Sequence, residues 1–263
     1  MAPSRRAYIV DDRGHFKKNR ELKLPAPRDA FPIDPPCISC IEPAMADLFA
    51  TSDTAIANFD VIDGGIPVLL VDNIFRDPAA VREAALKLDY APGTAHYPGR
   101  VGRFPEGDPS LTAFLRKLVS LVQSQYLPHM PMLPNGQRLA GFRGLDTDFA
   151  ITDFHPDQLS SKQRKPHVDA VPVFGLIYLN DPPRGGTLFY RQKNPREVLL
   201  PARGYPTAES DQVELSYRIE GLFNRLAIYP GFIPHSGEIE GDWITGEDRF
   251  RNPRLTQRIQ FFI

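Results

Sequence analysis

Six histidines punctuate the 263-residue chain, and two of them open a His-x-Asp triplet: His155-Pro-Asp157 and His167-Val-Asp169. On an extended segment residues i and i+2 point to the same side, so an imidazole and a carboxylate at that spacing can reach one metal ion. Such a pair supplies two of the three protein ligands of a two-histidine, one-carboxylate site, which keeps coordination positions open and suits non-haem iron(II). With 32 Asp+Glu available, chance readily produces such a triplet, and context has to decide. Taken singly, a His beside a strand is ordinarily a hydrogen-bonded structural residue, and an Asp next to one is a turn former.

The two triplets lead into different kinds of sequence. His167-Val-Asp169 runs directly into the apolar stretch Val171 to Leu179 and then the turn Gly185-Gly186-Thr187, which would fix its ligands at the mouth of a rigid buried strand. His155-Pro-Asp157 runs into the polar QLSSKQRK and reads as a surface residue or an outer support of the site. The third ligand is expected at His235, which comes after Leu226-Ala-Ile-Tyr-Pro-Gly231 and precedes Ser-Gly, small residues that let a ligand approach. His15, His96 and His129 lie in the N-terminal half without a comparable setting. Arg254, Thr256 and Arg258 then share one face of a final strand. A cationic, hydroxyl-bearing face beside a metal suits a dicarboxylate, with a guanidinium forked onto one end while a 2-oxo acid at the other end chelates iron.

These residues need a scaffold of short strands. Beyond residue 137, apolar stretches at Ala150 to Phe154, Val171 to Leu179, Thr187 to Tyr190, Leu222 to Tyr229 and Leu255 to Ile263 are separated by Gly, Pro, Asn and Asp, the pattern of a sandwich or jelly roll. The dense turn cluster Asn180 to Gly186 is expected to make a hairpin or to cross between sheets. Upstream, Pro67 to Val71 reads as a buried strand. Asp77-Pro78 and Asp108-Pro109 each offer an N-cap and a first-turn proline for a helix. Val81, Ala84, Ala85 and Leu88 share a face of the first, and Leu111, Phe114, Leu115, Leu118 and Val122 of the second. The fold class expected is mainly β, a jelly roll with flanking helices. Residues 1–60 are expected to be an irregular Pro-rich extension and 61–263 the functional domain.

Composition narrows the alternatives. Lys+Arg number 31 against 32 Asp+Glu, a net charge of -1 that offers no field for nucleic acid. Pro is 27 of 263, about double the usual ~5% and hostile to a helical bundle. No apolar run approaches the ~20 residues that span a bilayer, and the N-terminus MAPSRRAYIVDDR lacks the apolar core of a secretory signal, so a cytoplasmic location is expected. Cys37 and Cys40 form a C-x-x-C, which without two further thiols is read as two structural thiols rather than a zinc or redox site.

The runs HVDAVPVFGLIYLNDPPRGGTLFY, RLAIYPGFIPHSG and RLTQRIQFF, in that order, resemble the iron(II)- and 2-oxoglutarate-dependent dioxygenases, most nearly the prolyl 4-hydroxylase-like branch and an uncharacterised bacterial family close to it. The resemblance covers roughly residues 137 to 263. It implies a double-stranded β-helix, His167, Asp169 and His235 as iron ligands, and Arg254 with Thr256 as the pair that binds the distal carboxylate of 2-oxoglutarate. Tyr178 is a further candidate for that carboxylate. The stretch from His235 to the strand is longer than usual, with GDWITGEDRFRNP inserted, so Arg258 stays open as the anchor in place of Arg254.

The resemblance implies oxidation, by molecular oxygen, of an unidentified amino acid, peptide side chain or small metabolite. Tyr97 to Arg100 and Arg143 are candidate pocket residues. A cupin-like module that holds a metal or ligand without oxygenase turnover is the alternative. Halogenating relatives carry a small residue in place of the ligand carboxylate, which frees a metal position for chloride; here Asp169 occupies it. Turnover in excess chloride is therefore expected to give only oxygenated product, and a halogenated product by mass spectrometry would show that Asp169 is not a ligand.

Overall fold

The alternation along Arg254-Leu-Thr-Gln-Arg-Ile-Gln-Phe-Phe sends Leu255, Ile259 and Phe261 to one side of a strand and Arg254, Thr256 and Arg258 to the other. A sheet built from such strands has one dry face and one polar face. The computed structural model describes residues 8–10, 16–18, 47–62, 65–93, 97–194, 211–239, 241 and 246–263. Its strands are β1 (Tyr8–Val10), β2 (Phe16–Lys18), β3 (Ile56–Ile62), β4 (Ile66–Asp72), β5 (Ala91–Pro92), β6 (Arg100–Gly102), β7 (Gly144–Thr152), β8 (Val173–Tyr178), β9 (Thr187–Gln192), β10 (Val213–Ile219), β11 (Arg225–Pro230), β12 (His235–Gly237) and β13 (Arg254–Phe262).

Two antiparallel sheets result. The larger runs β2-β1-β7-β13-β8-β11-β4-β3, with β6 also pairing β7 and β5 pairing β6; the smaller is β10-β9-β12. Helices α1 (Pro78–Leu86) and α2 (Pro109–Leu121) start as the sequence suggests, with the Asp77 carboxylate accepting from the Ala80 N–H at 3.0 Å and Asp108 from Leu111 N–H at 2.8 Å. They cover the dry face. Phe114, Leu118 and Val122 pack there with Phe75, Phe149, Ile177, Ile228 and Ile259 in one core. On the other face Phe174, Leu176, Tyr178, Ala227 and Tyr229 meet Phe189 and Ile219 of the small sheet in a second core. This is the expected jelly-roll-like double sheet with flanking helices.

The turn cluster Asn180–Gly186 crosses from the large sheet to the small one, because β8 belongs to the first and β9 to the second. β7 begins six residues before the expected Ala150; Asp146 and Asp148 make its first half read as loop, and their charges are matched across the sheet by Arg103 and Arg258. The strand β3 runs across the boundary expected near residue 60, and β1 adds to the large sheet beside β7. Cys37 and Cys40 lie outside the described residues.

Because α2 lies on the face opposite the polar one, its cap and the polar site are energetically separable. Asp108→Ala is expected to lower stability by about 1 kcal/mol in urea denaturation while leaving metal affinity unchanged.

Candidate metal centre

The chain approaches β8 in extended form and pairs its backbone with the start of β12. His167 N–H donates to the His235 carbonyl at 2.9 Å, and His235 N–H donates back to the His167 carbonyl at 2.8 Å. Two residues on, the Asp169 N–H donates to the Gly231 carbonyl at 2.7 Å. A Cβ at Gly231 would lie 2.3 Å from the Val171 carbonyl oxygen and 3.3 Å from the Asp169 Cβ, so glycine permits this close approach. These contacts converge the side chains: ligand atoms of His167, Asp169 and His235 all lie within 4.8 Å of one another.

His235 Nδ1 lies 2.8 Å from the Ile233 carbonyl. A carbonyl only accepts, so Nδ1 carries the hydrogen and the neutral ring turns its Nε2 lone pair inward. That Nε2 stands 3.2 Å from Asp169 Oδ2, a buried oxygen without a hydrogen-bond partner among the described residues. Two lone pairs facing one another in a buried site repel unless a cation lies between them. His167 Nε2 is 4.0 Å from Asp169 Oδ1. Two imidazoles and one carboxylate whose ligand atoms converge in this way fit a divalent first-row metal.

Burial pushes the His167 imidazole down to about 3, with His235 adding to the effect and Asp169 and the Lys165 backbone opposing it. For Asp169 burial opposes ionisation, yet the contact with His235, the neighbouring His167 ring and the Arg258 charge outweigh it and hold the carboxyl below its ordinary range. Both shifts favour the metal-binding forms, a neutral imidazole and an ionised carboxylate.

A buried cation lies beside Gly237, two residues beyond His235, where a Cβ would stand 3.8 Å from Arg254 Cζ. Arg254 is 5% exposed and donates from Nη2 to the Gly186 carbonyl at 3.1 Å, while its Nε and the hydroxyl of Thr256, 1% exposed, have no partner among the described residues. Gly185 makes room for it: a Cβ there would stand 3.1 Å from Arg254 Nε. The Gly185-Gly186 turn is held by Gly186 N–H donating to Glu238 at 2.9 Å, and Glu238 is itself paired with Arg218 at 3.0 Å. Tyr178 lies opposite Thr256 on β8 and shares a 2.6 Å hydrogen bond with Thr187.

The other residues singled out in the sequence fall elsewhere. Arg258 is engaged bidentately by Asp148, Nε to Oδ1 at 2.6 Å and Nη2 to Oδ2 at 2.8 Å. His155 caps a single turn, its Nδ1 accepting from the Asp157 N–H at 3.2 Å, and stays outside the cluster. His129 packs its ring on Phe59. Tyr97 lies against the Arg258 guanidinium, and Arg143 is exposed. His15 and His96 lie outside the described residues. Sequence reasoning missed the acidic residues of β7; their signal was the alternation Asp146-x-Asp148, matched to Arg258 only through long-range register.

A family model described as "Family of unknown function (DUF6445)" matches residues 53–198 and 193–262. The chain belongs to that family. No curated protein matches it. Among solved structures, a Pseudomonas putida prolyl-4-hydroxylase is similar over 70% of this chain and 82% of that one, at 17% identity and a TM-score of 0.36. The matched segments of the DUF6445 chain contain all three members of the cluster as well as Arg254 and Thr256.

The buried imidazole has a measurable consequence. Unfolded, His167 titrates near 6.5; folded, near 3. Between those values the unfolded chain holds a proton that the folded chain lacks, so stability falls as pH drops through that window, by up to ~1.4 kcal/mol per unit for this one group. Asp169 acts with the same sign only below about pH 4. Urea denaturation of metal-free protein from pH 7 to 4 should show this slope, and His167→Gln should flatten it.

Proposed function

We propose that this protein is an iron(II)- and 2-oxoglutarate-dependent oxygenase that hydroxylates a small molecule or peptide side chain. The observation that carries the reading is the conjunction of two sites. A half-buried His-Asp-His cluster with converging ligand atoms lies in the same fold as a buried arginine whose Nε, like the neighbouring Thr256 hydroxyl, is left without a partner among the described residues; that arginine stands beside Gly237, the end of the strand that His235 opens.

In this reading His167, Asp169 and His235 hold the metal on one side and leave the opposite side for ligands. When bound, iron(II) and 2-oxoglutarate supply the oxidising chemistry, in which oxygen and the oxo acid yield succinate, carbon dioxide and an oxygenated substrate. Arg254 offers its unused Nε–H, and Thr256 its hydroxyl, to the distal carboxylate. The Tyr178–Thr187 pair, buried beside them, completes a polar end wall that supports the orientation of that carboxylate. His235 keeps its tautomer through Ile233, so no protein group has to give or take a proton when the metal enters. Phe174, Phe189 and Tyr229 pack around the His235 ring and support its orientation toward the metal.

Arg258 is disfavoured as the 2-oxoglutarate anchor because Asp148 already neutralises it. Cupin-like ligand holding without turnover predicts metal binding with no succinate formed. Ala substitution of His167, Asp169 or His235 is expected to remove stoichiometric iron, measured by elemental analysis, and 2-oxoglutarate-dependent succinate formation, while His155→Ala retains both. A forked guanidinium–carboxylate contact contributes roughly 1.5–3 kcal/mol, so Arg254→Ala should raise the 2-oxoglutarate KM by about ten- to a hundredfold. Arg258→Ala should raise it by less.

A further inference from the structure

Two consecutive glycines are the loosest link a chain can offer unless something ties them, and Gly185-Gly186 is the link that faces Arg254. Neither position has room for a side chain. Gly185 has a φ of +52°, and a Cβ on it would stand 2.5 Å from the Glu238 carbonyl oxygen; one on Gly186 would stand 1.9 Å from the Ile219 carbonyl oxygen. The order of the turn must therefore come from hydrogen bonds, and Glu238 makes them on both sides of Gly186. Its carboxylate Oε2 accepts from the Gly186 N–H at 2.9 Å, while its own N–H donates to the Gly186 carbonyl at 3.0 Å. The side chain thus grips the peptide before Gly186 and the main chain the peptide after it. Arg218 holds the carboxylate in turn, with Nε 3.0 Å from each oxygen.

The Gly186 carbonyl has a second donor, Arg254 Nη2 at 3.1 Å. A carbonyl oxygen has two lone pairs, so the Glu238 N–H and Arg254 share it between them. Because a guanidinium is planar and rigid, pinning Nη2 there also fixes where Nε–H points. The next residue along, Thr187, carries the hydroxyl that meets Tyr178 at 2.6 Å. One clamp on Gly186 therefore sets both the arginine and the neighbouring hydroxyl pair. We propose that Glu238 is a positioning residue for the distal carboxylate of 2-oxoglutarate: it acts through the Gly186 peptides on Arg254 and does not itself touch the ligand. What the role requires is an acceptor oxygen at the reach of a glutamate, since the donor it holds is a neutral backbone N–H. The assignment rests on the oxygenase reading, which supplies the ligand at Arg254.

The test compares two ligands by titration calorimetry on the full chain loaded with manganese(II) in place of iron: 2-oxoglutarate, and oxalate, which chelates a metal but has no distal carboxylate. Glu238→Ala should weaken 2-oxoglutarate by about five- to twentyfold and leave oxalate unchanged. Glu238→Asp, which keeps the charge but is one methylene short, should behave like Ala. Glu238→Gln, which keeps a carbonyl oxygen at the same reach and gives up only a half-exposed ion pair, should bind 2-oxoglutarate within about threefold of wild type. In an Arg254→Gln background, adding Glu238→Ala should cost nothing further, because the group it positions is gone. Should Glu238→Ala fail to fold by circular dichroism, Glu238→Asp carries the same comparisons. An unchanged 2-oxoglutarate affinity in the Ala variant, an equal loss of oxalate, a Gln variant as weak as Ala, or a full further loss in the Arg254→Gln background overturns the positioning role and leaves the oxygenase reading standing. Arg254→Gln that binds 2-oxoglutarate like wild type, or wild-type protein that binds manganese but not 2-oxoglutarate, overturns that reading and this role with it.

Discussion

Two backbone hydrogen bonds between His167 and His235 hold the site together. Neither residue belongs to the same strand, loop or sheet as the other: one lies on the approach to β8, the other opens β12 in the small sheet. Once their main chains pair, both imidazoles must project from neighbouring positions, and Asp169, two residues on, falls to the same side. The side-chain chemistry is a consequence of this latch. Burial holds His167 in the neutral form, the Ile233 carbonyl fixes the His235 hydrogen on Nδ1, and facing an ionised carboxylate the two rings leave a gap whose chemistry calls for a cation. Gly231 belongs to the same device, since the Asp169 main chain can rest on its carbonyl only if no side chain intervenes.

The large sheet separates two tasks by face. Toward α1 and α2 its residues are apolar and closely packed, which supplies rigidity through burial. Toward the small sheet the same strands carry Arg254, Thr256, Arg258, Asp148 and Tyr178, side chains that are costly to bury unless each finds a partner. Some do: Arg258 with Asp148, Tyr178 with Thr187. Arg254 Nε and Thr256 Oγ1 are the exceptions, left without a partner among the described residues.

Much of this was legible in the chain because its signals are local. His-x-Asp ahead of an apolar run, His before Ser-Gly, alternation on the last strand and the two Asp-Pro helix starts each involve a few adjacent residues. The features that escaped notice depended on pairing between distant strands. Asp146 and Asp148 look like loop residues until β13 is laid beside them, and the choice between Arg254 and Arg258 turns on which has a carboxylate as its cross-strand neighbour. β10 was missed because Glu214, Leu215 and Arg218 are exposed, so its apolar content gives no clean alternation.

The wide separation in sequence of the two latched histidines bears on how the chain folds. Closing a long loop before its contacts form costs entropy that grows with the logarithm of its length, and non-local pairing of this kind slows folding. The centre cannot assemble from either segment alone; it exists only after β8, β9, β11 and β12 have taken their places. An ion captured there binds the finished architecture in preference to any partly folded chain, so its binding free energy adds to the stability of the whole double sheet rather than to a single loop. Occupancy of the centre thereby becomes a reporter of completed folding.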